Sequence, residues 1–519
     1  MNYLDLVRFA SPEIVVTITA LAVLTIGLAR AGSPRLTSGI AALGLALSAG
    51  AVLMLPENAM LSRGMLVVSP LTSLFKFVCL ALACLTVFLA HGDSSSRRHH
   101  AEYLAIILLG TIGLMLLVGS EELLMIFIGL ELTGLSLYVL TAFDKTDQRS
   151  AEAGLKYFLF GSTASAFTLF GLSFIYGMSG ATGLAAIADK LSAGPIEPML
   201  AAGIVMTLIG FAFKIAAAPF HLWAADTYQG APIPSAAFIA SASKVASFVV
   251  LGKIVLVGFG PLQGSAAWHA MAGGWSPVLA ALAALSIVIG NLVAFVQTNV
   301  RRLLAYSAVA HAGYTLLGLI AGTPEGFSAT LFYTTTYAVT LLGAFGVVAL
   351  VRRETGGDDF QDFSGLRARS PLLAACMAVF MLSLAGLPPL AGFFGKFYLF
   401  SAAFRADEWS DLGASTMDDP ATLEPMIGLG VPVHQNHGLL WLVALALLGS
   451  LISLYYYLTL LKVIFADGRK ASESATPELS GAIKIDFLQR ISLSGLAAVI
   501  LFLGVAPSPL LASIIAALK

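Results

Sequence analysis

Apolar residues run along this chain in blocks of roughly 18–30, parted by short polar breaks. Each block is long enough to cross about 30 Å of hydrocarbon as a helix. Fourteen such blocks lie near residues 11–30, 37–56, 69–91, 101–119, 121–143, 151–178, 197–227, 232–259, 275–299, 302–321, 325–352, 370–405, 437–465 and 489–515. The ten-residue alternation of an outer-membrane barrel is missing. The pattern predicts an all-α, polytopic membrane protein of 14 transmembrane helices. A further apolar patch, 182–191, is too short to span and is expected along the surface. The first block is long and lacks a convincing cleavage site, so it is expected to stay as a span.

Two blocks carry helix breakers. The seventh holds Lys214, Pro219 and His221, and the twelfth holds Pro388, Pro389 and Lys396. Proline removes a donor and clashes with the carbonyl one turn back, so helices 7 and 12 are expected to be discontinuous. Inside a bilayer such breaks survive only where protein or water satisfies the freed carbonyls. The two breaks are five spans apart, an odd number, so the second crosses in the opposite sense. That is the arrangement of inverted repeats. Residues 101–260 (helices 4–8) and 270–466 (helices 9–13) are the expected five-helix repeats. Residues 1–100 (helices 1–3) and 467–519 (helix 14) are additions.

Basic residues set the orientation. Loops after odd-numbered helices hold Arg30, Arg35, Arg97, Arg98, Lys145, Arg149, Arg301, Arg302, Arg352, Arg353, Arg367, Arg369, Arg469, Lys470 and Lys484. Loops after even-numbered helices hold little beyond Arg63, Lys190 and Arg405. The positive-inside rule places both termini on the outer, periplasmic side of a cell inner membrane.

Composition agrees. The chain is 58% hydrophobic and 11% charged, against about 25% charged in soluble domains. A net charge of -1 and the lack of a basic stripe argue against nucleic-acid binding. Cys79, Cys84 and Cys376 lie inside predicted helices without metal or disulfide spacing, and read as small apolar residues. No nucleotide loop, metal cluster or haem ligand pair is evident, so no redox cofactor is expected in this chain.

The charges that remain inside the apolar blocks are the informative ones. Glu131 lies about 15 Å past Glu121 along its helix, and Lys244 about 15 Å past Pro234, both near the midplane. Lys214 and Lys396 flank the two breaks. A buried charge costs roughly 2.5–3.5 kcal/mol on insertion scales, so lone charges on separate helices point to a proton or cation path. Burial favours a lysine's neutral form and a nearby carboxylate its charged form. A Glu131–Lys214 pair that separates would therefore release a proton. His221 and His311 titrate near neutrality and are candidate relays, and Lys156 is a further candidate near the inner interface. Lys253 is expected to snorkel, Glu121 and Glu122 to sit at the outer edge, and Tyr455–Tyr457 to pack or anchor at the interface.

Four stretches carry a resemblance: Gly129–Leu132 (Gly-Leu-Glu-Leu), Phe213–Trp223 (Phe-Lys-Ile-Ala-Ala-Ala-Pro-Phe-His-Leu-Trp), Asp226–Pro232 (Asp-Thr-Tyr-Gln-Gly-Ala-Pro) and Arg301–Tyr314. They resemble the antiporter-like membrane subunits of respiratory complex I, with wording nearest the subunit N type, over essentially all fourteen helices. The resemblance maps Glu131, Lys214, Lys244 and Lys396 onto the family's charged residues of helices 5, 7, 8 and 12. His221 and His311 match histidines near its central axis. It implies proton translocation driven by quinone reduction elsewhere, with FMN, iron–sulfur clusters and quinone in partner subunits. The implied partners are neighbouring antiporter-like subunits, a hydrophilic redox arm and the lipid bilayer. A subunit of a multisubunit cation/proton antiporter, or a non-conducting structural subunit, are the rival readings. One region departs from the family pattern, a long acidic loop at 402–436, expected to be solvated.

Overall fold

The computed structural model describes residues 3–29, 34–91, 99–192, 194–415, 438–466, 483 and 485–518. After a short helix Tyr3–Phe9 come α1 (Ser11–Ala29), α2 (Pro34–Leu53), α3 (Pro70–Ala90), α4 (His100–Val118), α5 (Leu123–Thr141) and α6 (Gln148–Ser179). Next are the interrupted α7 (α7a Pro198–Ile215, α7b Leu222–Gly230), α8 (Ile233–Gly258), α9 (Trp275–Phe295), α10 (Val300–Ile320) and α11 (Pro324–Thr355). The interrupted α12 (α12a Pro371–Ala385, α12b Ala391–Ser415), α13 (Leu440–Phe465) and α14 (Phe487–Val505) complete the bundle. Thirteen of these are long and apolar enough to span. The fourteenth, α12, spans only when its two halves are taken together.

The chain alternates between two faces, a first face where α1, α3 and α5 start and a second face where they end. Local chemistry fixes many ends. Ser69 and Thr72 form a capping box that opens α3, and Pro70, Pro198, Pro324 and Pro371 stand in first turns where a missing N–H costs nothing.

Burial sorts the bundle into an inside and a rim. The apolar windows of α4, α8, α10 and α11 are 78%, 94%, 94% and 89% buried, against 28–39% for α1, α2, α6, α13 and α14. The central helices therefore include those that carry Lys244 and His311. Several helix pairs close up through glycine, α4 with α5 and α9 with α10 among them. A side chain at Gly113 of α4 would meet the Thr133 backbone nitrogen of α5 at 2.7 Å, and Gly290 of α9 lies against the backbone of Ala310 in α10. Close backbone approach replaces hydrophobic drive where the solvent is itself apolar.

The structure amends the expected spans in several places. α14 ends at Val505 and a second helix, Ser508–Leu518, follows, because Pro507 cannot continue the ladder. A two-stranded hairpin, β1 (Ala59–Leu61) with β2 (Leu66–Val68), fills the α2–α3 connection. α8 contains two π-turns, Ile239–Ser243 and Ile254–Gly258. The patch at 182–191 is a helix, Leu184–Leu191, seated through Leu184, Ile187 and Leu191. α12b extends to Ser415, while the rest of the expected acidic loop, including Asp418, Asp419 and Glu424, lies outside the described residues. So do Arg30, Arg97, Arg98, Arg469, Lys470 and Lys484.

Candidate functional site: a buried polar axis

At one end of the axis, Glu131 and Lys214 line one small cavity with Ser165, Thr168, Gly210 and Phe213. It measures about 10 Å³, room for about one water molecule. The expected direct ion pair is not formed. Ser165 of α6 donates to Glu131 Oε1 at 2.5 Å, while Lys214 Nζ points to the Leu130 carbonyl at 3.4 Å and lies 5.8 Å from the Tyr138 ring. Each charge has its own nearby partner, with the small cavity between them.

The α7 break follows Lys214 directly. Ala216 takes a left-handed backbone, and the indole N–H of Trp223 donates to the Phe213 carbonyl at 3.1 Å. The Ala218 N–H donates to Ser286 at 2.8 Å. Those bonds satisfy groups a continuous helix would have paired within itself. His221 opens α7b, buried, edge-on to Tyr306 at 6.3 Å, with Nδ1 lacking a hydrogen-bond partner among the described residues.

Lys244 comes immediately after the first π-turn of α8. Its Nζ donates to the Ala308 carbonyl of α10 at 2.9 Å and lies 5.7 Å from the Tyr337 ring of α11. π-turns widen a helix and free carbonyls, and they recur at functional sites.

His311 is the hub of the second half. The Tyr333 hydroxyl is 2.5 Å from Nδ1 and the Tyr457 hydroxyl 3.1 Å from Nε2, with the Tyr337 ring packed at 4.8 Å. A neutral imidazole has one donor and one acceptor, so one hydroxyl donates to it and the other accepts. Tyr457 also bonds Ser307. Tyr456 donates to Asn291 at 3.1 Å, and Asn291 donates to Tyr314 at 2.8 Å. The Tyr314 ring lies 5.2 Å from Lys396 Nζ. Lys396 then donates to the Ala385 carbonyl at 3.0 Å, freed by the α12 break, and to Ser450 at 2.9 Å.

Sequence reasoning found the ionisable groups but not what joins them. Tyr456 and Tyr457 are buried members of the network rather than packing or interfacial residues; only Tyr455 is exposed, stacked on Phe295. Tyr333 and Tyr337 share a helix face at i, i+4, a spacing that could have drawn attention. Lys156 does not join the axis. It is 40% exposed at the second face, 2.6 Å from Glu152 and 2.7 Å from Asp226, and Asp226 is also bonded by Arg302 at 2.9 Å. Beside this network, Arg301 pairs with Asp358 and donates to the Ala231 carbonyl at 2.9 Å, tying α10 to the α7b–α8 joint. Burial alone would push the Asp358 carboxyl up. The Arg301 charge, the Asn299 hydrogen bond and Arg352 outweigh it and hold the carboxyl below its ordinary value.

Two ion pairs near the first face, one buried on both sides and one on its lysine side only, are not visible as pairs in the sequence. Lys76 of α3 lies 2.7 Å from Glu13 of α1, the side chains 1% and 7% exposed. Lys253 does not snorkel out: it is buried, donates to the Val118 carbonyl at 3.0 Å and pairs with Glu121 at 3.3 Å. Glu122 caps α5 by accepting from Met125 N–H. Among the described residues, no group of three His, Cys, Asp or Glu side chains could hold a metal ion.

The family described as "NADH:quinone oxidoreductase/Mrp antiporter, TM" matches residues 120–418. NADH-quinone oxidoreductase subunit N 2 of Acidobacterium capsulatum is 44% identical over 98% of this chain and 99% of its own. Subunit N of Desulforamulus reducens is 37% identical over 96% and 95%. Among solved structures, a chain of respiratory complex I from Thermus thermophilus aligns with TM-score 0.75 at 30% identity, covering 96% of this chain and 98% of that one. A chain of the Mrp complex from Dietzia sp. DQ12-45-1b shares the fold at TM-score 0.78 and 20% identity, covering 99% and 97%. The chain belongs to the NADH:quinone oxidoreductase/Mrp antiporter membrane family, and within it to the subunit N group of NADH-quinone oxidoreductases.

Proposed function

We propose that this chain is the proton-translocating subunit N of an NADH-quinone oxidoreductase, moving protons along Glu131, Lys214, His221, Lys244, His311 and Lys396. One observation carries the reading: the second half of that series is a relay of ammonium, imidazole and phenol groups at hydrogen-bond or ring contact from Lys244 to Lys396. Buried charges and hydroxyl chains of this kind mark proton relays in membranes. Lys156 acts at the rim, holding α6 to α7b through Asp226, rather than as a carrier.

The full-length likeness to subunit N proteins supports partners of the same kind: neighbouring antiporter-like subunits and a redox arm. FMN, iron–sulfur clusters and quinone would be held there, and quinone reduction would supply the drive. The basic side chains Arg301, Arg302, Arg352, Arg353, Arg367 and Arg369 on the second face support an orientation with that face inside and both termini outside, in a cell inner membrane. Paired features support the two inverted repeats at 101–260 and 270–466. α6 and α11 are both 32 residues long, α7 and α12 are both broken, and glycine closes α4 on α5 as it closes α9 on α10.

The test is NADH-driven proton uptake by proteoliposomes holding the purified complex, with Lys214→Ala and Lys244→Ala variants. Loss of pumping with assembly intact supports the reading. Unchanged pumping would leave a structural subunit. The antiporter alternative shares the fold; a purified complex without flavin or iron–sulfur signals, but with sodium- or potassium-driven proton flux, would establish it instead.

A further inference from the structure

A cavity of about 510 Å³ opens near the second face, away from the polar axis. Its walls are the end of α3 (Leu85, Phe88), the second half of α11 (Leu342, Leu350) and the start of α14 (Leu493, Leu496). The volume falls in the range of small-molecule sites. Along α11 it runs from Arg353 to Leu342, eleven residues or about 16 Å. Half of a hydrocarbon core of about 30 Å is about 15 Å. The cavity is thus as deep as one leaflet.

Its polar residues gather at the mouth. Asp144 and Asp147 come from the α5–α6 loop, Arg352 and Arg353 from the end of α11. Arg353 is exposed, and Arg352 also reaches Asp358 at 3.3 Å. Asp144 accepts from the Thr146 hydroxyl at 2.7 Å and Asp147 caps α6 through Arg149 N–H at 2.9 Å. Gln489 and Ser492 add neutral donors. Two guanidiniums and two carboxylates cancel, so the mouth presents both signs side by side and no net charge.

We propose that this cavity binds one zwitterionic aminophospholipid, of the phosphatidylethanolamine type, from the surrounding bilayer. Its phosphate would lie against Arg352 and Arg353, its ammonium would face Asp144 and Asp147, and an acyl chain would descend between α3, α11 and α14. Basic pockets between membrane helices bind anionic lipid head groups; here the two arginines supply that basic element for the phosphate. The paired carboxylates favour a head group that carries its own amine over a purely anionic one. The same cavity touches Gly230–Pro232, the joint between α7b and α8, where the Ala231 carbonyl is held by Arg301. The lipid would therefore brace the connection leading to Lys244.

The experiment is native mass spectrometry of this subunit released from the detergent-solubilised complex. The complex is first delipidated, then resupplied with phosphatidylethanolamine or phosphatidylglycerol. The expected result is one retained phosphatidylethanolamine in the wild type and weaker retention of phosphatidylglycerol. Arg353→Glu should weaken retention by about thirtyfold, reversing one basic contact. Ala349→Trp, which fills the wall from α11, should abolish it. Equal retention in both variants, preference for phosphatidylglycerol, or no adduct at any lipid concentration would each overturn the assignment. Because the readout is lipid mass, it stands or falls separately from the proton-translocation reading.

Discussion

Glu13 and Lys76 offer a clean test of how this bundle tolerates charge. They are 2.7 Å apart and nearly inaccessible, and neither makes a further side-chain hydrogen bond among the described residues. At an effective dielectric constant near 20, their attraction is about 6 kcal/mol. Desolvation costs several kcal/mol for each ion, so the pair as a whole contributes little net stability. Removing one partner is different, because the other charge is then buried alone. Glu13→Gln or Lys76→Met should each destabilise by about 3–5 kcal/mol. The double variant Glu13→Leu/Lys76→Met replaces both by apolar groups and should return to within about 1 kcal/mol of wild type or exceed it. The four proteins would be compared by equilibrium unfolding in mixed micelles titrated with SDS, as a double-mutant cycle. A double variant as labile as the worse single variant would refute the reasoning. So would single variants indistinguishable from wild type.

Three other outcomes are expected. Tyr457→Phe removes the hydroxyl between His311 and Ser307; proton uptake should fall at least about tenfold with assembly unchanged, checked in proteoliposomes against electron-transfer rate. Gly113→Val forces a side chain onto the Thr133 backbone and should cost about 1–3 kcal/mol or block assembly, read from the yield of intact complex. Asp358, whose carboxyl is held down in the folded protein, contributes stability that is present above its unfolded value and is lost as pH falls through its lower folded value. Asp358→Asn should therefore speed amide exchange in residues 356–365 at pH 7, and the difference from wild type should vanish in strong acid.

The spans were legible because hydrocarbon thickness dictates a length that composition displays directly. The breaks were legible because proline acts locally. Glu131, Lys214, Lys244 and Lys396 stood out because each is alone in apolar sequence. What stayed hidden is non-local. Lys76 lies only two turns inside α3, too near an interface to look buried until α1 packs Glu13 against it. Tyr456 and Tyr457 read like ordinary aromatic residues until α10 brings His311 to them. Glu131 and Lys214 suggested a bonded pair, but Ser165 and the Leu130 carbonyl, invisible as partners in sequence, each claim one of them. α8's π-turns leave no mark that periodicity detects.

The Lys396 ammonium has three hydrogens, and the structure assigns two of them. One holds the Ala385 carbonyl at the end of α12a, and one holds Ser450 of α13. A neutral amine keeps two hydrogens, so both bonds can outlast the departure of the third. The Tyr314 ring lies 5.2 Å from the same nitrogen. In the proposed relay, cargo and scaffold would use different hydrogens of one nitrogen, so the broken helix would not have to be rebuilt for each proton carried.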